Sequence, residues 1–282
     1  MYKVGLSTTG QKICEETIKM YGSAKLEYIE ISCGKDEIDS LDYEKLKEWC
    51  DKYNVKIWSF HLPFYPFDVL DISNEALADY TVKYLSDIIL KASRIGVDKF
   101  IIHASGEPIE ESQRQKRMET AKKSLYALAE VAKGACATIC VEDLPRTCLG
   151  RSASDILELL SVHPSLRACF DTNHLLSEDN IDFVKKIGDK IVTLHVSDYD
   201  FINERHWLPG EGKNDWQGIL NTLKEIGYSG IWLYEIDMQC PKTIIRPRAL
   251  TVKDFQLNAK EVFENSKITI ISTPKENLGY WD

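Results

Sequence analysis

Apolar residues in this chain come in short runs. Eight of them, at about 2–8, 26–33, 56–61, 99–104, 138–143, 166–171, 191–197 and 230–236, read as β-strands. Six of these runs are rich in Ile, Val, Phe and Leu and turn polar only at their C-terminal edge, the pattern of a parallel strand buried on both faces. Six runs close on residues that can hold a metal or move a proton: SFHLP (His61), FIIHAS (His103), TICVEDLP (Glu142), RACFDTNH (Asp171 and His174), IVTLHVSD (His195) and IWLYEID (Glu235). Amphipathic stretches lie between the runs. The one over 75–95 carries Leu77, Tyr80, Tyr84, Ile88 and Ala92 at three- and four-residue steps and stops at Gly96. A second runs over 111–134 to Gly134, and a third over about 153–162.

Strands alternating with helices predict a parallel α/β architecture, and eight strands are the number that closes a barrel. Successive polar ends fall roughly 25 to 40 residues apart, about the length of one strand-plus-helix unit. The predicted fold is a single-domain (β/α)8 TIM barrel over residues 1–282. An open doubly wound sheet would carry a Gly-rich phosphate turn after its first strand, and Ser7-Thr8-Thr9-Gly10-Gln11 is not one. The longest non-periodic stretches, 62–74, 198–215 and 238–247, all follow strand ends, which makes them top-face loops suited to substrate contacts. Residues 266–282 read as a C-terminal tail packing on the barrel or on the partner subunit of a homo-oligomer.

Composition narrows the classes of function. A chain of 282 residues matches one barrel of about 250. With 44 acidic against 35 basic residues, the formal charge of −9 gives no electrostatic reason to seek nucleic acid or anionic lipid. No apolar run approaches the ~20 residues that span a bilayer, and Met-Tyr-Lys-Val-Gly-Leu-Ser enters a strand without a signal-peptide core. Eight cysteines are too sparse for a disulfide scaffold, and several fall inside core strands, so a reduced, cytoplasmic protein is expected.

Closing the barrel would bring the strand ends onto one face. Glu142, Asp171, His195 and Glu235 together offer three carboxylates and one imidazole. That set suits a divalent cation of intermediate hardness, Mn²⁺, Co²⁺ or Mg²⁺, ahead of Zn²⁺, which favours thiolate. Singly, each has a bland explanation as a helix cap or ion-pair partner. Three carboxylates buried close together are costly without a cation, so the group argues for a metal where its members do not. His61, His103, His174 and His206 supply a second ring of substrate contacts or ligands. His163, before Pro164 in a helix-to-strand loop, belongs to the opposite face and reads as structural. In the loop 203–212, Arg205 and His206 offer a cation and a donor to a hydroxyl-rich or anionic ligand. Glu211 reads as a solvated turn residue, and Asp215 as the cap of a helix starting at Trp216.

The order HLPF, IIHAS, VEDLP, CFDTNH, LHVSD, RHWLPGEGxxDW and YEI resembles the xylose isomerase-like TIM barrel superfamily, and within it the sugar phosphate isomerase/epimerase family. That family includes ketose 3-epimerases, hydroxypyruvate isomerase and inosose dehydratase. The resemblance implies a metal-dependent sugar or polyol isomerase/epimerase working by proton transfer through a metal-stabilised enediolate. Glu142 and Glu235 would be metal ligands that also exchange the proton, and Asp171 and His195 would complete the metal site. His174 and Arg205 would contact substrate.

Two alternatives follow from the same resemblance. The related apurinic-site endonucleases use three zinc ions. Their ligand pattern finds matches at His61, His103, Glu142, Asp171, His174, His195, His206 and Glu235, with Glu204 standing where that family has Asp. The acidic balance and the loop LPFYPFDVLDIS after His61 favour carbohydrate over DNA. An inosose dehydratase-type lyase is the other alternative. A barrel that only binds a metabolite would be expected to have lost a ligand, and all four are present.

Overall fold

The computed structural model describes residues 1–280. Eight strands, β1 (Val4–Ser7), β2 (Tyr28–Ile31), β3 (Lys56–His61), β4 (Lys99–Ile102), β5 (Thr138–Glu142), β6 (Arg167–Asp171), β7 (Ile191–His195) and β8 (Trp232–Tyr234), pair in parallel in the order β7-β6-β5-β4-β3-β2-β1-β8. A parallel bridge between Val196 and Tyr234, with Val196 N–H donating to Leu233 O at 2.8 Å, joins β7 to β8 and closes a (β/α)8 barrel. Every strand falls within two residues of its predicted ends.

Helices α1 (Glu15–Ser23), α2 (Lys35–Asp39), α3 (Tyr43–Tyr53), α4 (Ala78–Arg94), α5 (Arg114–Gly134), α6 (Ala153–Leu160), α7 (Asn180–Ile187), α8 (Trp216–Glu225) and α9 (Val252–Phe263) are the outer elements. Several start where a side chain takes up an otherwise unpaired backbone N–H: Ser152 accepts from Asp155 N, Asp179 from Ile181 N and Asp182 N, and Asp215 from Gly218 N. The main core lies between strands and helices. Phe170 on β6 stacks on Phe183 of α7 at 5.5 Å, and Trp232 of β8 meets Phe263 of α9 edge-on at 5.3 Å.

Three expectations are corrected. The buried face of α4 is Ala78, Thr81, Leu85, Ile88, Ile89 and Ala92, one step round from the predicted stripe; Tyr80 is exposed and stacks on Tyr84. Aliphatic side chains set the helix phase because a tyrosine can keep its hydroxyl in water. The loop 238–247 is not wholly irregular: β9 (Ile244–Ile245) pairs antiparallel with β10 (Thr273–Pro274) of the tail. Glu211 is buried, not solvated. Its carboxylate accepts from Leu208 N at 3.2 Å and from Ser272 N at 2.9 Å, so it ties the loop after β7 to the tail. The tail thus lies over the loops that follow β7 and β8, where Tyr280 O accepts from Asn203 and Gly279 O accepts from Arg205 Nη2 at 2.7 Å. All eight cysteines are free thiols. Among the described residues no helix is long and apolar enough to cross a membrane.

Candidate active site

Strand geometry puts the chemistry at one end of the barrel. Side chains two apart on a strand share a face, so Cys140 and Glu142 of β5, Cys169 and Asp171 of β6, and Thr193 and His195 of β7 can all face inward. Register then aligns them: Glu142 is the Cα partner of Cys169, and Asp171 that of His195. Ile101, Cys140 and Cys169 form a small apolar cluster separate from the main core. It gives the polar ends above it a dry floor, where electrostatic interactions are strong.

Glu142, Asp171, His195 and Glu235 converge, as predicted. Each offers one ligand atom, and those atoms all lie within 4.8 Å of one another. His195 Nδ1 is 2.8 Å from Glu142 Oε1, 3.2 Å from Glu235 Oε2 and 3.9 Å from Asp171 Oδ2. Asp171 Oδ1 accepts from Asn173 N at 2.7 Å, but among the described residues Oδ2 has no hydrogen-bond partner, although it is buried. An ion with ligands at about 2.1 Å separates opposite donors by about 4.2 Å, close to the spread seen here. Donor chemistry, spacing and an orphaned buried carboxylate oxygen all fit a divalent cation.

The electrostatics agree. Burial pushes the Asp171 carboxyl up to about 7, with Glu142 and Glu235 adding repulsion. Asp143, which accepts from Asp171 N, is pushed up to about 8 mainly by burial. Burial opposes ionisation of Glu235 too, but the neighbouring His195 outweighs it and holds the group down at about 2. Glu142 is likewise held well below the usual range: burial raises it, and His195, His103 and His61 together overcome that. Burial lowers His61, yet its hydrogen bond to Glu142 and the surrounding carboxylates lift it to about 9. The imidazoles facing Glu142 and Glu235 thus favour the ionised carboxylates, and the carboxylates facing His61 favour its protonated form.

The second ring is assembled as well. His61 Nε2 and His103 Nε2 lie 3.2 and 3.1 Å from Glu142 Oε2, and Phe64 stacks on His103 at 3.8 Å. His174 donates from Nδ1 to Asp143 O at 2.8 Å, which turns Nε2 toward Glu204 Oε2 at 3.2 Å. His206 donates from Nδ1 to Glu235 O at 3.1 Å. Arg205 reaches the cavity wall, but Nε is engaged by Asp200 Oδ2 at 2.9 Å. His163 is away from this group, bound to Glu130 at 2.7 Å and to Ser165.

Three residues of the site escaped the sequence reading as functional. Arg146 pairs with Glu107 and, through Nη1, with Glu204 Oε1 at 2.8 Å. It follows the VEDLP motif by one residue, and nothing in local spacing signals its reach. Glu204 itself stood out only as a departure from Asp. Glu30, inside β2, lies 3.1 Å from His195 Nε2; a carboxylate between Ile29 and Ile31 in the strand was its only signal. The cavity lined by Glu142, Glu235, Arg146, Glu204 and the second-ring histidines holds about 450 Å³, and it shares Thr9, Ser32, His61 and Phe64 with an adjoining cleft of about 600 Å³. A larger cleft of about 730 Å³ opens at the other end of the barrel, beside Tyr2, Trp58 and Tyr228, but among the described residues no carboxylate or imidazole lines it.

This fold and donor set define a class. Residues 20–256 match the family described as xylose isomerase-like TIM barrel, and the chain belongs to that family. It is 25% identical over 273 residues to an uncharacterized protein of Methanocaldococcus jannaschii, covering 93% of this chain and 89% of that one. A fructoselysine 3-epimerase of Escherichia coli O157:H7 is 29% identical over 89 residues, 30% of this chain and 32% of its own length. Among solved structures, a D-tagatose 3-epimerase-like protein superposes with a TM-score of 0.76 at 24% identity, over 93% of this chain and 97% of its own.

Proposed function

We propose that the protein is a divalent-metal-dependent sugar or polyol isomerase/epimerase acting on an unphosphorylated substrate. The observation that carries this reading is the joint approach of Glu142 and Glu235 to His195 Nδ1, beside an Asp171 Oδ2 that has no hydrogen-bond partner among the described residues. A cation held there would supply Lewis acidity to a hydroxy-carbonyl substrate and so make the C–H beside the carbonyl more acidic. Glu142, Asp171, His195 and Glu235 would hold it. Of these, Glu142 and Glu235 are carboxylates kept ionised by their surroundings, as a base requires. One removes the substrate proton, whose bonding pair moves toward the carbonyl, and the other returns a proton taken up from water. His61, His103, His174 and His206 line the same cavity and would bind hydroxyls.

The charge balance of the cavity supports a neutral substrate. Its permanent cations are Arg146, tied to Glu107 and Glu204, and Arg205, tied to Asp200; among the described residues no lysine lines it. A phosphate would have to compete with carboxylates for both. The decisive experiment is a screen of Mn²⁺- or Co²⁺-loaded protein against ketoses, ketose–amine conjugates, inososes and hydroxypyruvate in D₂O. Epimerised or isomerised product carrying solvent deuterium is expected. Product formed without exchange, or no turnover across the panel, rejects the reading. Dehydrated product instead would identify the inosose dehydratase-type lyase.

A second reading rests on two further convergences, His61–His103–Glu142 and His174–Glu204–His206, which could each hold an ion and together make a multinuclear phosphodiesterase. Against it, Glu204 already has Arg146 as a counter-charge, and the chain carries a net −9. Cleavage of an abasic-site oligonucleotide by zinc-loaded protein would establish this alternative.

A further inference from the structure

We propose that Glu30 is the residue that positions His195, keeping the proton of its imidazole on Nε2 so that Nδ1 is left to bind the cation. The inference rests on the metal-site reading above. Glu30 is fully buried in β2. Its Oε2 lies 3.1 Å from His195 Nε2 and accepts from Ser59 Oγ at 2.7 Å, while Oε1 has no hydrogen-bond partner among the described residues. Ser59 is its Cα register partner on β3, and Trp58 next to it donates across the barrel to Thr193 Oγ1 at 3.1 Å, two residues before His195.

The two nitrogens of His195 therefore face different surroundings. Around Nδ1 stand Glu142, Asp171 and Glu235, enough donors for an ion. Around Nε2 stands one carboxylate already engaged by a hydroxyl, which makes it a proton acceptor and not a second metal pocket. A neutral imidazole carries one proton, and the partner of one nitrogen decides which atom is free. A carboxylate at Nε2 also raises the basicity of Nδ1, and loss of such a partner costs about 10- to 100-fold in metal affinity.

A purely structural role would not need this charge. The inward neighbours deeper in the barrel, Ile101, Cys140 and Cys169, are apolar, and a well-packed apolar side chain in place of a buried ionic group is often neutral or stabilising. Stability and metal affinity should therefore separate. Glu30→Leu is expected to melt within a few degrees of the parent yet bind Mn²⁺ about 100-fold more weakly by calorimetry. Glu30→Gln, which keeps an acceptor oxygen but not the charge, should lose about 10-fold.

The spectroscopic test uses ¹⁵N-histidine protein loaded with Zn²⁺. The parent and Glu30→Gln should show a His195 Nε2–H proton shifted downfield, and Glu30→Leu should not. Glu142→Gln serves as the control for the site. If the parent binds metal, Glu142→Gln abolishes binding and both Glu30 variants keep parental affinity, the Glu30 assignment is overturned while the metal site stands. A metal signature on Nε2 overturns it equally. If the parent binds no divalent metal, the site reading itself has failed and takes this inference with it. Should Glu30→Leu fail to fold, Glu30→Gln, nearly isosteric, still decides the affinity.

Discussion

His195 Nδ1 stands 2.8 Å from Glu142 Oε1, although the two residues are 53 positions apart and arrive on strands separated by β6. Barrel curvature makes the contact: the side chains meet over the intervening Cys169, which is the register partner of Glu142. Glu235 reaches the same nitrogen at 3.2 Å from the strand on the other side. Because both carboxylates would act in proton transfer, Glu142→Gln and Glu235→Gln should each lower turnover by at least about 100-fold. Steady-state rates with fully metal-loaded protein, together with loss of substrate deuterium exchange, are the measurements. Parental turnover in either variant excludes that residue as acid or base.

Asp171 has a separable role. Its Oδ1 is spent on Asn173 N, and Oδ2, with no hydrogen-bond partner among the described residues, faces His174 Nε2 at 3.6 Å and His195 Nδ1 at 3.9 Å in the cluster. Asp171→Ala should therefore act first on metal retention, and Asp171→Asn should fall between it and the parent. Elemental analysis after dialysis checks this, with sub-stoichiometric metal expected in Asp171→Ala. Parental metal content would show that the ion sits elsewhere.

Much of this architecture is legible in the sequence because a parallel barrel strand has one polar end. His61, Glu142, Asp171 and His195 are each the last residue of their strand, and Glu235 follows β8 by one. What is hidden has physical reasons too. Glu30 lies inside its strand, so its role depends on what faces it across the barrel, 165 residues away. Arg146 and Glu107 meet from different loops, and loop-to-loop distances leave no period in a sequence. Glu211 looked solvated because a P-G-E-G turn is normally exposed; its burial depends on the tail arriving through Ser272.

Arg146 links three loops. It pairs with Glu107, with Glu204 Oε1 at 2.8 Å and with Asn203 Oδ1 at 2.7 Å, and its side chain is only 9% exposed. Arg146→Met would leave two mostly buried carboxylates without their cation, a change that costs about 3 kcal/mol at the lower end of the range for a broken buried pair. Urea unfolding followed by tryptophan fluorescence should show the midpoint falling with an unchanged slope. Arg146→Met combined with Glu107→Gln and Glu204→Gln should recover most of the loss. No loss in the single variant would mean that water already shields these carboxylates.

Metal and pH should be linked, with a sign that the pKa shifts fix. In the metal-free protein Asp171, Asp143 and His61 sit at about 7, 8 and 9, all above their ordinary values. A group whose folded pKa is raised contributes stability that is fully present below its unfolded value and is lost as pH climbs through the folded one. Asp171 and Asp143 lose theirs from about pH 4 up to 7–8, and His61 from about 6.5 up to 9. Glu235, held at about 2, works the other way, but its contribution is lost only as pH falls toward that value. The metal-free protein should therefore melt at a lower temperature at about pH 8.5 than at about pH 6. Cation binding requires a deprotonated Asp171 and an unprotonated His195 Nδ1, so affinity should rise over the same interval and binding should release protons. The stabilisation conferred by saturating Co²⁺ grows with affinity, and the gain in melting temperature should be larger at the higher pH. Differential scanning calorimetry at both pH values, with titrations in buffers of different ionisation enthalpy, measures the two effects. A metal-induced gain that is equal at both pH values, or larger at the lower one, would show that the protons bound by this cluster are not those the cation displaces.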